Sequence, residues 1–372
     1  MLIRILIAIT LILPVAVYTA IKTTAPDFPC RPVSLIEQIE IGGMQQWVMA
    51  QGAGSKLPVL LWLHGGPGAA QMPVARHFNH QLEEIFIVVH WDQRGAGKSN
   101  PRNFDESTMS VEQYIDDVHQ MTQHLKKKFK REKICLLGHS WGTQLGMVAA
   151  QRHPEDYHAY IGVGQVVHHH KAHQYAHSEL KRRIKERGKK KDLQKLKSLQ
   201  GPPFLKHSDY VAFAGMMNRY QMNQDVKTSE MVKAALLSEA YNLADLRRWL
   251  LGARRGSGPM WHVSQGWDIL EWAPGIEIPC YFITGENDFN TPAALVEQML
   301  QQPNAPLLHQ HFIIRDAGHT PFLGKPETFA SIMQEIIGMQ QANHEAYLKK
   351  ADGCRMSQIS NFTLGVRGNF AL

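Results

Sequence analysis

Short apolar runs alternate with amphipathic helical segments along most of the chain. The runs cover residues 35–41, 45–50, 59–63, 85–91, 134–137, 159–163, 280–284 and 308–314. The first two flank Gly42-Gly43 and predict a hairpin of paired strands. Helical spacing over 111–128 and a run of small residues over 141–153 predict helices between later strands. Apolar strands separated by helices are typical of a mostly parallel sheet covered on both faces, which predicts an α/β fold.

This alternation is interrupted in the middle of the chain. Residues 165–265 are polar, rich in methionine and helical in pattern, with no apolar strand run. The pattern predicts an α/β core in two parts, 23–164 and 266–344, separated by a helical insertion over 165–265 and followed by a tail over 345–372. A chain of 372 residues is long enough for such a core together with its insertion.

The first 22 residues have the composition of a targeting segment. Arg4 precedes an apolar stretch over 5–21 with small residues near its end, which is typical of a secretory signal peptide. A membrane anchor is the alternative, although a helix over 5–21 would span about 26 Å against a hydrocarbon core of roughly 30 Å. Either interpretation predicts an exported protein that is periplasmic, extracellular or associated with a membrane through residues 1–22. Export would also allow Cys30 and Cys354 to pair, because disulfides form in oxidising compartments.

The formal net charge of +7 is concentrated in one segment. Between residues 171 and 199, eleven basic side chains accompany three acidic ones, so the remainder of the chain is close to neutral. Nucleic-acid enzymes more often spread positive charge along a groove with interleaved aromatic residues. We therefore expect a solvated or membrane-facing helix surface and no nucleic-acid partner. The content of 44% hydrophobic and 20% charged residues excludes a disordered or collagen-like chain.

Two further patterns suggest a cofactor only superficially. Residues 95–99, Gly-Ala-Gly-Lys-Ser, end like a phosphate-binding loop, but Asp92 stands where that motif requires its first glycine. His169, His173 and His177 are spaced to share one helix face, where a polar surface is a simpler interpretation than a metal site. Neither pattern predicts a nucleotide or metal cofactor.

The strongest chemical motif is centred on Ser140. Residues 138–142, Gly-His-Ser-Trp-Gly, directly follow an apolar strand run and precede a helix. This Gly-x-Ser-x-Gly pattern between a strand and a helix predicts a nucleophile elbow, a sharp turn that lifts the Ser140 hydroxyl above the sheet. Small residues are needed there because a larger neighbour would collide with the strained backbone. A glycine-rich turn with an inert serine is the alternative.

A serine nucleophile needs a base and an acid, which in this arrangement come from later strands. Asp288 and His319 each follow an apolar run, so both are expected at the carboxyl end of the sheet. His319 would carry the Ser140 proton, and Asp288 would hold the imidazole and stabilise its charged form. Glu286 is a competing candidate for the acid. The sequence predicts a triad of Ser140, Asp288 and His319.

The oxyanion formed at a substrate carbonyl requires two backbone donors. The N–H of Trp141, directly after the nucleophile, is expected to supply one, and the Gly65-Gly66 loop is expected to supply the other. Because glycine has no side chain, a substrate can approach the backbone of this loop closely. Gly65 is therefore also predicted to contact the substrate.

Five motifs, taken in their order, resemble the α/β-hydrolase superfamily and specifically its prolyl-iminopeptidase-like branch. They are His-Gly-Gly-Pro-Gly at 64–68, Trp-Asp-Gln-Arg-Gly-Ala-Gly-Lys-Ser at 91–99, the serine motif at 138–142, Gly-Glu-Asn-Asp at 285–288 and Gly-His at 318–319. The resemblance spans roughly residues 35–337. It implies an α/β-hydrolase fold with a helical cap over the site and no metal or organic cofactor. It also implies specific roles: Ser140, Asp288 and His319 as the triad, and Gly66 and Trp141 as oxyanion donors.

The resemblance defines the substrate less sharply than the reaction. Enzymes of this branch hold the free amino group of the substrate with glutamates, in some members directly after the catalytic acid, where this chain has Phe289. Glu230 and Glu239 are candidate replacements for those glutamates, and Phe289 is expected near the substrate. The favoured prediction is a serine aminopeptidase that acts on N-terminal residues of small peptides through an acyl-enzyme. A carboxylesterase for small esters and a catalytically silent tethered binding protein remain alternatives, and the oligomeric state is open.

Overall fold

The structure of the chain is a computed structural model that describes residues 28–340, with the exception of 224, 262, 264 and 265 and of the side chains of 253–257. The predicted signal peptide or anchor at 1–22 and the predicted tail at 345–372 lie outside the described residues. Export therefore remains a prediction, and so does the pairing of Cys30 with Cys354. No helix between residues 28 and 340 that the structure describes is long and apolar enough to cross a membrane.

The chain divides into two compact units, Met1–Ala330 and Ser331–Leu372. The first unit contains the whole sheet and every residue that the sequence analysis assigned to the site. Residues 331–340, the described part of the second unit, are helical.

In the described residues, eight strands form a single sheet. In chain order they are β1 Val33–Ile41, β2 Met44–Gly52, β3 Val59–Leu63, β4 Ile87–Asp92, β5 Ile134–His139, β6 Tyr157–Val163, β7 Cys280–Gly285 and β8 His309–Ile314. Their order across the sheet is β1-β2-β4-β3-β5-β6-β7-β8. β2 pairs antiparallel with β1 and with β4, and all other neighbours are parallel. The predicted hairpin and the predicted mostly parallel α/β sheet are confirmed.

Helices connect the parallel strands and fill the long segment between β6 and β7. They are α1 Met72–Asn79, α2 Val111–Phe129, α3 Trp141–Arg152, α4 His169–Glu186, α5 Lys190–Ser198, α6 His207–Arg219, α7 Thr228–Leu237, α8 Leu243–Ser257, α9 Ile269–Trp272, α10 Ala293–Leu300 and α11 Pro321–Gly324. Residues 326–340 are also helical. Helices α4 to α8 follow one another without a strand in the described residues, and we call this segment the helical insertion.

Four of the inner strands of the sheet are buried along their whole length. Every residue of β3, β4, β5 and β7 is buried, because helices on both faces of a parallel sheet leave no strand face in water. This burial explains why these strands appear as short, mainly apolar runs in the sequence. In β8, at the edge of the sheet, only Ile314 is buried.

A buried ion pair joins the first hairpin, the loop after β4 and helix α2. The Arg94 guanidinium donates through Nε and Nη2 to the two Asp117 carboxylate oxygens, each at 3.0 Å. Nη2 also donates to the Gly42 carbonyl at 2.8 Å. The two side chains are only 3% and 0% exposed. Three segments that are distant in sequence are therefore held by one guanidinium.

The helical insertion is attached to the core at the loop after β4. Lys98 Nζ donates to Asp245 Oδ2 at 2.7 Å, and the Tyr241 hydroxyl donates to Asp92 Oδ2. The Lys98 ammonium also lies 4.5 Å from the centroid of the Trp47 ring. Burial raises the pKa of Asp92 to about 7, although the hydrogen bonds from Tyr241 and Lys98 act against this shift. The lysine of the phosphate-loop-like run is thus a structural link to the insertion.

Replacing Arg94 with methionine should lower the free energy of unfolding by about 3–5 kcal/mol, because it leaves the buried Asp117 charge without its partner. The matched control is Arg152→Met, which removes an ion pair with Glu112 whose side chains are 36% and 57% exposed. That change should cost about 1 kcal/mol or less. Urea unfolding followed by circular dichroism measures both losses. Equal losses would contradict a special role for the Arg94 pair.

Candidate active site

Ser140 lies on a strained turn between β5 and α3. Its φ of 52° and ψ of −119° fall in a region that residues other than glycine rarely adopt. A β-carbon on Gly142 would lie 2.8 Å from the Leu63 carbonyl carbon, and one on Gly138 would lie 2.7 Å from the Gly142 carbonyl carbon. Glycine is required at both positions because any side chain would overlap with neighbouring backbone. The turn has the geometry of the predicted nucleophile elbow.

His319 connects Ser140 to Asp288. Its Nε2 lies 2.9 Å from the Ser140 Oγ, and its Nδ1 lies 2.8 Å from Asp288 Oδ2. When Nδ1 donates to the carboxylate, Nε2 of the neutral imidazole is left as an acceptor for a hydrogen bond from the Ser140 hydroxyl. The competing acid, Glu286, is exposed and accepts from the Asp316 N–H at 3.0 Å instead. The structure brings the three predicted triad residues together in the predicted order.

Asp288 is buried, and donors on the residues that follow it stabilise its charge. Oδ1 accepts from the N–H groups of Asn290 at 2.9 Å and Thr291 at 2.8 Å, and Oδ2 accepts from the Thr291 hydroxyl at 2.6 Å. Burial favours the neutral acid, but the charge and hydrogen bond of His319 and the Thr291 donors outweigh it. The pKa of Asp288 is therefore below its ordinary value.

Burial and nearby acids act in opposite directions on His319. Burial alone would disfavour the imidazolium, but the charge and hydrogen bond of Asp288, with a smaller contribution from the charge of Asp225, outweigh it. The pKa of His319 is raised above its ordinary value. An imidazole of this kind accepts a proton readily, which is what a base acting on Ser140 requires.

His139, the residue before Ser140, supports the backbone of His319. Burial, together with the charge of His319, lowers the pKa of His139 to about 3, so this imidazole is neutral. Its Nε2 donates to the His319 carbonyl at 3.0 Å, and its Nδ1 accepts from the Gln71 amide at 3.0 Å. No role for His139 is predicted from the sequence, although its place inside the serine motif was an available signal.

The glycine loop after β3 approaches Ser140 closely. A β-carbon on Gly65 would lie 3.1 Å from the Ser140 Cβ, and Gly66 has a φ of 117°, which favours glycine. Trp141 is the first residue of α3, where N–H groups have no acceptor within the helix. Gly66 and Trp141 line one cavity together with Ser140. The structure thus brings both predicted oxyanion residues to the predicted nucleophile.

Residues 58–326 match the family described as alpha/beta hydrolase fold. The chain belongs to the alpha/beta hydrolase fold family. Over 312 residues this α/β hydrolase is 30% identical to the probable aminopeptidase YbaC of Bacillus subtilis, covering 82% of this chain and 96% of that protein. A shorter match of 96 residues, 26% of this chain and 23% of its relative, is 34% identical to a proline iminopeptidase of Arabidopsis thaliana.

Solved structures show the same fold. The proline iminopeptidase of Mycobacterium smegmatis aligns with a TM-score of 0.61 at 20% identity, covering 83% of this chain and 99% of that one. Family and relatives together make the protein a hydrolase enzyme and not a catalytically silent binding protein.

Within the part of the chain that the structure describes, Ser140 and His319 together line two cavities. The smaller, of about 80 Å³, reaches the helical insertion, and polar and aromatic side chains line much of it: Trp141, Gln165, His169, His173, Tyr210 and Asn290. The larger, of about 430 Å³, is mainly apolar and includes Ala69, Val74, Met231, Trp249, Leu250 and Leu323. Neither cavity has an acidic side chain among the described residues that line it.

Three residues were predicted to contact the substrate, but the structure places them elsewhere. Neither cavity includes Phe289, Glu239 or Glu230 in its described lining. The Phe289 ring packs under the Arg183 guanidinium at 4.9 Å and therefore belongs to the contact with α4. Glu239 forms an ion pair with Arg76 at 3.2 Å, and its side chain is 62% exposed. Glu230 is exposed in the first turn of α7. Gly65, by contrast, does line the larger cavity.

His169 and His173 line the smaller cavity, so their helix face is not simply a polar surface. Burial lowers the pKa of His169 to about 4 and that of His173 to about 3, with neighbouring histidines adding to the effect. The His169 Nε2 donates to Gln144 Oε1 at 3.2 Å. The four-residue spacing indicated a shared face, but the sequence did not show that this face is directed at Ser140.

A separate group of possible metal ligands lies outside both cavities. The ligand atoms of His119, His153 and Asp156 are all within 4.8 Å of one another. The Asp156 carboxylate, however, already accepts from Lys126 Nζ at 2.5 Å and from the Gln123 amide at 2.8 Å. The one carboxylate of this group is therefore already paired with a cation of the protein, Lys126.

Gly142→Ala should reduce the rate at which an alkyl fluorophosphonate labels Ser140 by at least about tenfold, because α3 must move away from the Leu63 and His64 carbonyl groups. The matched control is Gly215→Ala in α6, where a β-carbon has open space. That change should leave labelling unaltered and, because alanine favours helix, should not destabilise the fold. Labelling followed by mass spectrometry, with thermal unfolding of each variant, measures both. Normal labelling of Gly142→Ala would contradict the packing argument.

The same labelling rate should fall as pH falls through the pKa of His319, because only the neutral imidazole accepts the Ser140 proton. Asp288 raises that pKa. Asp288→Asn should therefore move the acid limb of the profile of labelling rate against pH to lower pH, and slow labelling by about 10³–10⁴-fold. Glu286→Gln, which removes the competing acid, should leave both rate and limb unchanged. If the two variants exchanged these outcomes, Glu286 would be the acid.

Proposed function

We propose that the protein is a serine hydrolase that acts through an acyl-enzyme formed on Ser140. The hydrogen-bonded chain from Ser140 through His319 to Asp288 carries this proposal. The Ser140 Oγ attacks the substrate carbonyl carbon while His319 Nε2 accepts its proton. The carbonyl oxygen becomes an oxyanion, for which the N–H groups of Gly66 and Trp141 are the donors.

The remaining steps return the enzyme to its starting state. His319 gives its proton to the leaving nitrogen or oxygen as the bond to the carbonyl carbon breaks, which leaves an ester on Ser140. A water molecule then attacks this ester while His319 accepts a water proton. Release of the acid product returns that proton to the Ser140 Oγ, and Asp288 stabilises the imidazolium in both steps.

The substrate class that we propose is the N-terminal residue of small peptides, so that the enzyme is an aminopeptidase. The relationship to the probable aminopeptidase YbaC, which extends over 96% of that protein, supports this choice. The match to a proline iminopeptidase over 96 residues supports it further. Proline and alanine at the N-terminus are therefore the first residues to test.

A carboxylesterase is the second candidate, and one observation favours it. Recognition of an N-terminal ammonium group usually needs a negative partner, because a desolvated cation is costly without one. The described linings of the two cavities at Ser140 contain no carboxylate. A small neutral ester needs no such partner, and the larger cavity offers it an apolar surface.

Hydrolysis of four substrates by the full-length chain separates the two candidates. They are proline p-nitroanilide, alanine p-nitroanilide, N-acetylalanine p-nitroanilide and p-nitrophenyl acetate, with Ser140→Ala as the matched control. For an aminopeptidase, both free-amine anilides should be hydrolysed at least about tenfold faster than the acetylated one. Ser140→Ala should abolish turnover, since loss of a serine nucleophile lowers kcat by about 10⁶-fold.

Three other results would change the proposed substrate class or contradict the proposed mechanism. Turnover of p-nitrophenyl acetate alone would make the enzyme an esterase. Equal rates for the free and acetylated alanine anilides would exclude recognition of the amino group. Turnover that survives in Ser140→Ala would contradict the acyl-enzyme mechanism itself.

A further inference from the structure

One carboxylate of the helical insertion holds the backbone on both sides of His319. Asp225 lies between α6 and α7, and its Oδ1 accepts from the Gly318 N–H at 2.5 Å. Its Oδ2 accepts from the Thr320 N–H at 2.6 Å and from the Thr320 hydroxyl at 2.8 Å. Hydrogen bonds from backbone N–H groups to a carboxylate are among the stronger ones in proteins. The residues before and after His319 are therefore fixed by the same side chain.

A second side chain from the same loop holds the residues directly after Asp288. The Asn223 Oδ1 accepts from the Phe289 N–H at 2.5 Å, and its Nδ2 donates to Asn290 Oδ1 at 3.0 Å. Asn223 has a φ of 68°, a left-handed conformation that asparagine adopts more readily than most residues. Asn223 and Asp225 thus contact the acid loop and the histidine loop from one short stretch of chain.

The backbone is packed closely enough to exclude side chains at this contact. A β-carbon on Gly318 would lie 2.8 Å from the Asn223 carbonyl carbon, and one on Gly324 would lie 2.7 Å from Asp225 Oδ1. This close approach brings Asp225 directly against the histidine loop. The loop between α6 and α7 is therefore seated on the core at the site itself, separately from the Lys98–Asp245 link.

Direct contact with the substrate does not explain Asp225. Both of its carboxylate oxygens are already occupied by three donors from Gly318 and Thr320. Neither of the two Ser140 cavities includes Asp225 in its described lining. The hydrogen-bond partners of Asp225 are instead the two residues on either side of His319.

We propose that Asp225 and Asn223 are positioning residues, through which the helical insertion sets the geometry of His319 and Asp288 relative to Ser140. This inference rests on the proposed serine-hydrolase function and goes beyond it, because it makes the seating of the insertion a condition for an active triad. Without these two side chains, the histidine and acid loops lose their side-chain hydrogen bonds to Asn223 and Asp225, while Ser140 keeps its own turn.

The charges around His319 allow the positioning role to be distinguished from a general loss of stability. Asp288 contacts Nδ1, and Asp225 is the second acid that raises the pKa of His319. The other neighbours of His319 carry no charge: His139 is neutral, and Thr291 presents a hydroxyl 3.4 Å from Nδ1. Loss of the Asp225 charge should therefore lower the pKa of His319 and move the acid limb of the pH profile to lower pH. A structural change elsewhere in the insertion would leave that limb in place.

The test uses the full-length chain and two probes, hydrolysis of p-nitrophenyl acetate and labelling of Ser140 by an alkyl fluorophosphonate. Asp225→Asn keeps the size of the side chain but removes its charge and half of its acceptors. We expect kcat and the labelling rate to fall at least about tenfold, KM to change less than about twofold, and the acid limb to move to lower pH. Asp225→Glu, which restores the charge, should recover part of the rate and return the limb toward its original position.

Two further variants complete the design. Asn223→Ala removes the contacts with the acid loop without touching a charge, so it should lower kcat and leave the acid limb unmoved. It also tests the proposal if Asp225→Asn fails to fold. Asp209→Asn, in the first turn of α6, removes an equal charge elsewhere in the insertion and should behave like the unmodified enzyme.

The outcomes are distinguishable from those of the proposed function. If Asp225→Asn and Asn223→Ala both fold and keep the original kcat, labelling rate and acid limb, the positioning role is wrong. A rise in KM alone would make Asp225 a substrate-binding group and also overturn it. If the unmodified enzyme neither hydrolyses the ester nor labels at Ser140, the proposed function fails, and the positioning inference fails with it.

Discussion

The close packing of backbone around Ser140 is the constraint on which the site depends. At the end of β5, Gly138 and Gly142 leave no space for a β-carbon, and Ser140 adopts a conformation that only such packing can maintain. The backbone that carries the Ser140 hydroxyl is therefore fixed, and its partners must be brought to it. The sheet order therefore matters, because the loops after β7 and β8 place Asp288 and His319 at the same carboxyl end of the sheet as the turn after β5.

The sequence was sufficient to predict the core, and to predict that Ser140, Asp288 and His319 lie together, because both have local signals. Strands buried on both faces must be mainly apolar along their length, and the turn at Ser140 must contain glycine at fixed spacing. Asp288 and His319 could be found because each directly follows a strand. The order of these elements in the chain then determined the fold and the three residues together.

The substrate contacts could not be predicted in the same way, because they depend on how the helical insertion is seated. Glu239 was predicted as a partner for the amino group of the substrate. Its carboxylate is instead paired with Arg76 and is largely exposed to solvent. Phe289 follows the acid in sequence, yet its ring is directed toward α4. Asp225 had no local signal at all, since its partners Gly318 and Thr320 are 93 and 95 residues away.

The contact between the insertion and the two triad loops also has a consequence for how the site is assembled during synthesis. Synthesis proceeds from the N-terminus, so Ser140 and the loop carrying Asn223 and Asp225 are complete before Asp288 or His319 exists. The late loops then meet partners in the insertion that were synthesised before them. Under the proposed mechanism, a chain interrupted before the loop after β8 would hold the nucleophile and its elbow but not the base, His319, so hydrolytic capacity would arise only when that loop is added.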